Sequence, residues 1–273
     1  MLIQNLRLNF KAGLYCMYCV ASMRGIMHRL KKYGLYLLVA LSFGSGACEK
    51  KFFVASHDTY WPPYVIDVDG HAQGKEVTAL WLIFAGSPYC VQVEFLPNTE
   101  RAFVEQTKGR MDLGWAASFT EKRAEHVYFS DSYRNEVMWL YQHKSKQYNV
   151  KNLQDAFAQG YTVAAHTGSY YGEQFERLKS IYPKQIIFTG AAKRRFALLA
   201  KQRVDFIIED QLVGEYFISQ SNNIKRVNTT TYVNKGSIHL MLSKNTSTMQ
   251  DVVEVNKLIQ SRKAQLEELF EKL

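Results

Sequence analysis

The sequence predicts an α/β fold, in which buried strands alternate with amphipathic helices along the chain. Two runs, Ile186–Phe188 and Phe206–Ile208, are apolar at every position, as strands covered on both faces of a sheet require. Segments with helical periodicity lie between such runs, and the connections are short. With 273 residues, 47% of them hydrophobic and 22% charged, the chain can bury a large core.

The first half of the folded region is predicted to contain three strands and two helices. Two prolines exclude a helix from the segment His57–Tyr64, which is therefore predicted as a loop. Asn98 is a suitable N-cap for a helix at Thr99–Thr107. The other predicted elements are strands at Lys51–Ala55, Val91–Leu96 and Met111–Ala117, a helix at Lys75–Ala85, and a loop at Ser118–Arg123.

The second half repeats this alternation. Two extended apolar segments, Glu136–His143 and Ser237–Ser243, are predicted to cross between the halves, and Ser247–Leu273 is predicted to be helical. The other predicted helices are Leu153–Ala158, Tyr171–Ile181, Ala191–Lys201 and Gln211–Ser219, and the strands are Tyr161–Ala165, Gln185–Thr189 and Val204–Ile208.

Residues 1–47 have the layout of a secretory signal peptide. A basic segment, Met27–Lys32, precedes the apolar run Tyr33–Phe43, which is shorter than the roughly 20 residues that span a bilayer. Small residues then lead to a cleavage site after Ala47. Because residues 1–26 exceed what a signal peptide needs, Met23 or Met27 is predicted to be the true start.

The four cysteines are not expected to form a disulfide framework. Cleavage after Ala47 leaves Cys48 first in the mature chain, where it is a candidate for lipidation. Lipoprotein signals usually have Leu where this chain has Ser45, so an unmodified terminus is the alternative. Cys90 is expected to be a buried free thiol. The remaining pair, Cys16 and Cys19, has no partner pair at metal-ligand spacing.

The charge distribution argues against nucleic acid as a partner. Residues 1–47 contain six basic and no acidic residues, so they supply six of the nine net positive charges. In the folded part, the basic cluster Lys193–Arg195 falls on a predicted helix and is interpreted as a solvated face. No nucleophile elbow, phosphate-binding loop or zinc-protease motif is present, and neither metal nor cofactor is predicted. Two histidines, His57 and His166, follow predicted strands and are interpreted as loop histidines.

Three ordered motifs carry a family resemblance. Lys-Gly-Arg-Met-Asp at 108–112 precedes Thr-Glu-Lys-Arg at 120–123 and Phe-Ser-Asp-Ser-Tyr at 129–133. In this order they resemble the family-3 extracellular solute-binding proteins, the periplasmic amino-acid-binding type that serves ABC importers. The resemblance covers about residues 51–270. It implies a two-lobe periplasmic-binding-protein-like fold (type II), with a ligand cleft between the lobes and two hinge crossings.

The resemblance also implies a domain organisation and a set of partners. Lobe 1 is expected at 48–140 plus 238–273, and lobe 2 at 141–237. The expected partners are a small-molecule ligand, an amino acid or a related carboxylate, and an ABC permease in the inner membrane. The protein is expected to be a periplasmic monomer.

Matching residues to the family's motifs gives a candidate ligand site. Arg123 matches the arginine that clamps the ligand carboxylate, a role that suits the two-pronged guanidinium group. Ser118 matches a position that assists this carboxylate, and Ser169 lies in a loop whose N–H groups receive an anion. Asp210 matches the acid that accepts the ligand's ammonium group. The aromatic residues that are candidates for lining the cleft are Tyr60, Trp61, Tyr64, Trp115, Tyr170 and Tyr171.

Departures from the family pattern leave the ligand open. Lys75 stands where the family often has an aromatic residue that covers the ligand, and Trp115 begins a segment that is usually small and polar. Two other functions therefore stay open. One is an enzyme that acts on a cyclic carboxylic acid, for which His166, Glu173 and Glu209 are candidates. The other is a sensory module without a transporter.

Overall fold

The described chain alternates strands and helices as the sequence predicts. A computed structural model describes residues 48–56 and 60–271. The leader predicted at 1–47 and the loop residue His57 lie outside them. The strands are β1 (Lys50–Ser56), β2 (Tyr60–Trp61), β3 (Val65–Val68), β4 (His71–Gln73), β5 (Tyr89–Phe95), β6 (Leu113–Ser118), β7 (Val127–His143), β8 (Val163–His166), β9 (Ile186–Thr189), β10 (Phe206–Asp210), β11 (Ile224–Arg226) and β12 (Asn234–Ser243). The helices are α1 (Lys75–Phe84), α2 (Thr99–Thr107), α3 (Glu121–Ala124), α4 (Leu153–Ala158), α5 (Gly172–Ile181), α6 (Ala192–Ala200), α7 (Gln211–Gln220), α8 (Met249–Ser261) and α9 (Lys263–Glu271).

One large sheet connects most of these strands in the order β5-β1-β6-β12-β7-β10-β8-β9, with β11 also paired to β7. Parallel pairs lie at both ends of this order, where β1 pairs with β5 and β6, and β8 with β9 and β10. The long strand β7 joins the two parallel groups, because it pairs with β12 along most of its length and with β10 near its end. Every residue of β8 and β10 is buried, as expected for parallel strands covered on both faces.

Several helices begin at side-chain caps that the sequence supplies. The Asn98 side chain accepts a hydrogen bond from the Arg101 backbone N–H at 2.8 Å, which confirms the predicted cap of α2. Thr248 and Asp251 form a capping box at the start of α8. The predicted bounds of α2 and α4 are confirmed to the residue. The predicted C-terminal helix is interrupted at Arg262, which separates α8 from α9.

An unexpected small sheet is formed by β2, which lies in the predicted loop His57–Tyr64, and by β3 and β4, which follow that loop. This sheet packs closely against the start of α1, where Gly74 has a φ of 117°. A Cβ atom at Gly74 would lie 2.3 Å from the Tyr64 carbonyl oxygen, so only glycine fits there. The glycine thereby lets the backbone of the loop approach the start of α1.

A disulfide joins Cys48 to Cys90, and this corrects both cysteine predictions. The two Cα atoms are 5.6 Å apart, because Cys48 lies just before β1 and Cys90 lies in β5, its parallel neighbour. The sequence prediction missed the bridge because it treated Cys48 as a chain terminus rather than as part of the sheet edge. A sulfur atom in a disulfide is not available to carry a lipid, so the structure argues against lipidation of Cys48.

The predicted crossings are confirmed as extended segments, since Glu136–His143 lies within β7 and Ser237–Ser243 within β12. The described residues belong to one compact unit. A division into lobes at 140/141 and 237/238 therefore stays a prediction. None of the described helices has the length and apolar character needed to span a bilayer.

Candidate functional site

A cavity of about 80 Å³ lies where the carboxyl ends of β6, β8 and β10 meet, the position at which open α/β sheets bind ligands. Its polar lining combines two arginines, two glutamates and two serines with a histidine. The apolar lining is aromatic, methionine and alanine. The residues that the argument uses are Trp61, Thr99, Trp115, Ser118, Arg123, Glu136, His166, Gly168, Ser169, Tyr170, Arg195 and Glu209.

Arg123 supplies a positive charge to this cavity. It lies in the short helix α3, which Thr120 caps by accepting a hydrogen bond from the Arg123 backbone N–H. Its guanidinium donates to the Ser118 carbonyl at 2.8 Å and to the Gly168 carbonyl at 3.1 Å. Burial lowers the pKa of Arg123 and the Glu136 carboxylate partly offsets this, but a guanidinium stays protonated in proteins. The ion pairs among the described residues do not include Arg123.

Two serines line the cavity together with Arg123. The Ser118 hydroxyl, at the end of β6, donates to Glu136 Oε1 at 3.2 Å. The Ser169 hydroxyl lies 3.0 Å from Nδ1 of His166. Gly168 is in the left-handed region with a φ of 81°, and a Cβ there would contact Thr99 at 3.4 Å. The loop after β8 is thus held against the start of α2.

Glu136 is a cavity residue that the sequence prediction missed. It is 5% exposed and lies on β7, within the segment predicted only as a crossing. Burial, followed by the nearby carboxylates of Asp210 and Glu76 and against the pull of Arg134, raises the pKa of Glu136 to about 7. The sequence signal for Glu136 was an acidic residue at the start of an apolar run, because a buried carboxylate is costly unless a partner compensates its charge.

A buried ion pair forms another wall. Arg195 Nη2 lies 2.6 Å from Glu209 Oε2, and both side chains are almost fully buried. Trp61 Nε1 donates to the other oxygen of Glu209 at 3.2 Å. The prediction that the basic cluster Lys193–Arg195 forms a solvated face is therefore wrong for Arg195, which turns inward to Glu209. The charges of this pair neutralise each other.

The structure brings together five of the eight predicted site residues. Those that line the cavity are Ser118, Arg123, Ser169, Trp115 and Tyr170. Asp210, Tyr60 and Tyr64 do not line it. Trp61 and Tyr171, which the sequence also placed among the cleft aromatics, are cavity residues.

Asp210 has hydrogen-bond partners within the protein, and its role as the acceptor of a ligand ammonium group stays a prediction. Its carboxylate caps α7 by accepting hydrogen bonds from the N–H groups of Leu212 and Val213, and it accepts another from the Tyr64 hydroxyl at 2.8 Å. Tyr64 is only 2% exposed for the same reason, because its hydroxyl is directed to Asp210. The Tyr60 hydroxyl lies 3.3 Å from that of Tyr216, outside the cavity.

Of the residues proposed for an enzyme, His166 and Glu209 line the cavity, whereas Glu173 does not. The Glu173 side chain is 84% exposed and lies 3.6 Å from Arg177 on the same helix. Within the described ranges, no group of three His, Cys, Asp or Glu residues is arranged to hold a metal ion.

Fold and cavity together are those of a binding protein. Residues 53–272 match the model of the bacterial extracellular solute-binding proteins, family 3. The chain belongs to that family. A search of curated proteins gives no significant match.

Solved structures show the same fold at low sequence identity. The arginine-, lysine-, histidine-binding protein ArtJ from Geobacillus stearothermophilus is 16% identical with a TM-score of 0.68, over 81% of this chain and 94% of that one. A histidine kinase sensor domain is 19% identical with a TM-score of 0.68, over 80% and 93%. The ancestral amino acid-binding protein AncCDT-1, a precursor of cyclohexadienyl dehydratase, is 20% identical with a TM-score of 0.67, over 81% and 94%.

Proposed function

We propose that this protein captures a small zwitterion, most simply an α-amino acid, in the cavity around Arg123. The observation that carries the proposal is the Arg123 guanidinium, which lines the cavity and donates to carbonyl oxygens rather than pairing with a carboxylate. A cation in a partly desolvated wall favours an anionic ligand group. A carboxylate accepts two parallel hydrogen bonds from a guanidinium.

The rest of the proposed site completes the carboxylate pocket. Ser118, at the end of β6, and Ser169, in the loop after β8, line the cavity together with Arg123, and their hydroxyl groups are the proposed further donors to the carboxylate. Trp115 and Tyr170 line the apolar part of the cavity. The proposed role is delivery of the captured ligand to an ABC permease after export to the periplasm, as in the family to which the chain belongs.

Two alternative functions, a sensor and an enzyme, can be told apart from transport by experiment. A sensor uses the same binding step, so a gene for a cognate permease next to this one separates the two roles. A dehydratase-like enzyme requires turnover, and only His166 and Glu209 of its three candidates line the cavity. Glu209 is already paired with Arg195. Binding is therefore the function that the geometry supports best.

A thermal-shift screen against the twenty L-amino acids, polyamines and small carboxylates tests the proposal. At 100 times its dissociation constant, a ligand that binds only the folded state stabilises it by about 2.7 kcal/mol. We expect at least one amino acid to raise the unfolding temperature and the polyamines to leave it unchanged, because they have no carboxylate for Arg123. A screen in which no amino acid stabilises the protein would contradict the proposal.

A further inference from the structure

Glu136 presents a carboxyl group to the cavity without a cation of its own. The Ser118 hydroxyl donates a hydrogen bond to it at 3.2 Å, and the ion pairs of the described residues do not include it. An ionised carboxylate that is 95% buried is costly unless a positive charge or several donors compensate it. Glu136 therefore needs a proton or a cationic ligand group.

The charged groups around Glu136 do not satisfy this need. On β7 itself, Arg134 acts on Glu136 and lowers its pKa, but the Nε atom of Arg134 pairs directly with Glu76 of α1 at 2.7 Å, and burial of Glu136 outweighs the remaining attraction. From the end of β10, Asp210 faces Glu136 as a like charge, and Glu76 acts on it in the same direction. On β12, the residue opposite Glu136 is Gly236, which has no side chain. Arg123 of α3, which lines the same cavity, also interacts electrostatically with Glu136 but forms no ion pair with it among the described residues.

Ser118 brings the two opposite charges of the cavity to one place. Its carbonyl oxygen accepts a hydrogen bond from Arg123, and its hydroxyl donates one to Glu136. The Arg123 guanidinium and the Glu136 carboxyl group are therefore both hydrogen-bonded to the same residue, Ser118. An α-amino acid has the matching arrangement, because its carboxylate and ammonium groups are attached to the same carbon atom.

The carboxylate of Asp210, in contrast, already has hydrogen-bond partners within the protein. Its Oδ1 accepts hydrogen bonds from the Tyr64 hydroxyl and from the N–H groups at the start of α7, and it does not line the cavity. Moving it toward a ligand would break a helix cap. Glu136 lines the cavity without such a role.

We propose that Glu136, and not Asp210, receives the ammonium group of the ligand, and that the empty protein holds a proton on Glu136 which the ligand displaces. The inference rests on the proposed capture of an amino acid. On binding, the O–H bond of the Glu136 carboxyl breaks, its proton passes to the buffer, and the ligand's ammonium forms an ion pair with the carboxylate. Burial holds the pKa of Glu136 near 7, so this exchange falls in the physiological pH range.

Isothermal titration calorimetry tests this coupling. The probe is the amino acid that gives the largest shift in the screen, titrated at pH 6 and pH 8 in two buffers of different ionisation enthalpy. We expect release of about 0.9 proton at pH 6 and about 0.1 at pH 8, with affinity about tenfold weaker at pH 6. The α-hydroxy analogue of the same amino acid, which has no ammonium group, should release no proton.

Three variants locate the proton. Glu136→Gln should bind the amino acid at least about 30-fold more weakly at pH 8 and release no proton, because it cannot carry the compensating charge. Asp210→Asn should keep the proton release. Glu173→Gln, at an exposed position on α5, is the matched control and should behave as the wild type.

The outcomes separate the two proposals. Amino-acid binding without proton release, together with unchanged affinity in Glu136→Gln, overturns the inference and leaves the proposed function standing. Loss of affinity in Asp210→Asn but not in Glu136→Gln assigns the ammonium group to Asp210 and also overturns it. Absence of binding by every amino acid overturns the proposed function and this inference with it.

Discussion

At the scale of single residues, the cavity is distinguished by two ionisable side chains, Arg123 and Glu136, that take part in none of the ion pairs of the described residues. Arg123 donates to backbone carbonyls, and Glu136 accepts from the Ser118 hydroxyl. The other charged pair of the wall, Arg195 and Glu209, neutralises itself. Once Glu136 gives up its proton to the buffer, the cavity has a positive group at Arg123 and a negative group at Glu136, which is an arrangement suited to a zwitterion.

Glu136 makes a prediction about stability that needs no ligand. Its pKa is raised from an ordinary 4.5 to about 7 by burial, so the folded state binds the proton more tightly than the unfolded chain does. The resulting stabilisation is complete below about pH 4.5 and is lost as the pH rises to about 7. We expect this to lower the free energy of unfolding by up to about 3 kcal/mol across that range. Denaturant unfolding of the ligand-free protein at several pH values measures it.

Glu136→Gln should remove the contribution of Glu136 to this pH dependence. A contribution of similar size should remain at lower pH from Asp210, whose pKa burial raises from 3.8 to about 6. The exposed Glu173→Gln serves as the control and should retain the full slope. Parallel pH profiles for Glu136→Gln and the wild type would show that the Glu136 carboxyl ionises as it does in water.

Sequence analysis found some of these residues and missed others for a physical reason. Arg123 and Ser118 lie in or next to the short motif at 120–123, so neighbouring residues in the sequence were enough to identify them. Glu136 and Arg195 acquire their roles only through tertiary burial, against β6 and β10 respectively. A helix that contains three consecutive basic residues gives no local sign that one of them turns inward.

At the scale of elements, β7 determines the geometry of the site. It is 17 residues long and pairs with β12 and then with β10, so it places Glu136 between the parallel group around β1 and the group around β8.

The regular elements were predictable because their periodicity and caps are local. The small sheet β2–β4 was not, because its strands have two to four residues and depend on the close approach of Gly74 to Tyr64.

The disulfide between the start of β1 and β5 makes a prediction at this scale. It closes a loop with a sequence separation of 42 residues, so removing it increases the freedom of the unfolded chain. We expect Cys90→Ala to lower the free energy of unfolding by about 2–4 kcal/mol. Thermal unfolding with and without a reductant measures this effect.

The variant also provides the control for the reductant. Reduction should lower the unfolding temperature of the wild type to that of Cys90→Ala and should leave the variant unchanged. A wild type that is insensitive to reductant would show that Cys48 and Cys90 are not joined in the protein, and it would restore Cys48 as a candidate for lipidation.

At the scale of the whole molecule, fold and family agree. The chain belongs to the bacterial extracellular solute-binding proteins, family 3, and shares its fold with proteins that differ in their described roles. The fold therefore does not identify the ligand, and the charges of the cavity must do so. Hinge closure of two lobes stays a prediction from the family resemblance.

The most direct test of the account is calorimetric titration of Arg123 variants with the amino acid found in the screen. We expect Arg123→Ala to lose about 2–5 kcal/mol of binding free energy, because the ligand carboxylate loses its counter-charge. Arg123→Lys should lose less binding free energy, since lysine keeps the positive charge but cannot form the two parallel hydrogen bonds of a guanidinium. The control Arg177→Ala, at a side chain that is 68% exposed, should bind as the wild type does. Unchanged affinity in Arg123→Ala would contradict the carboxylate site on which the account depends.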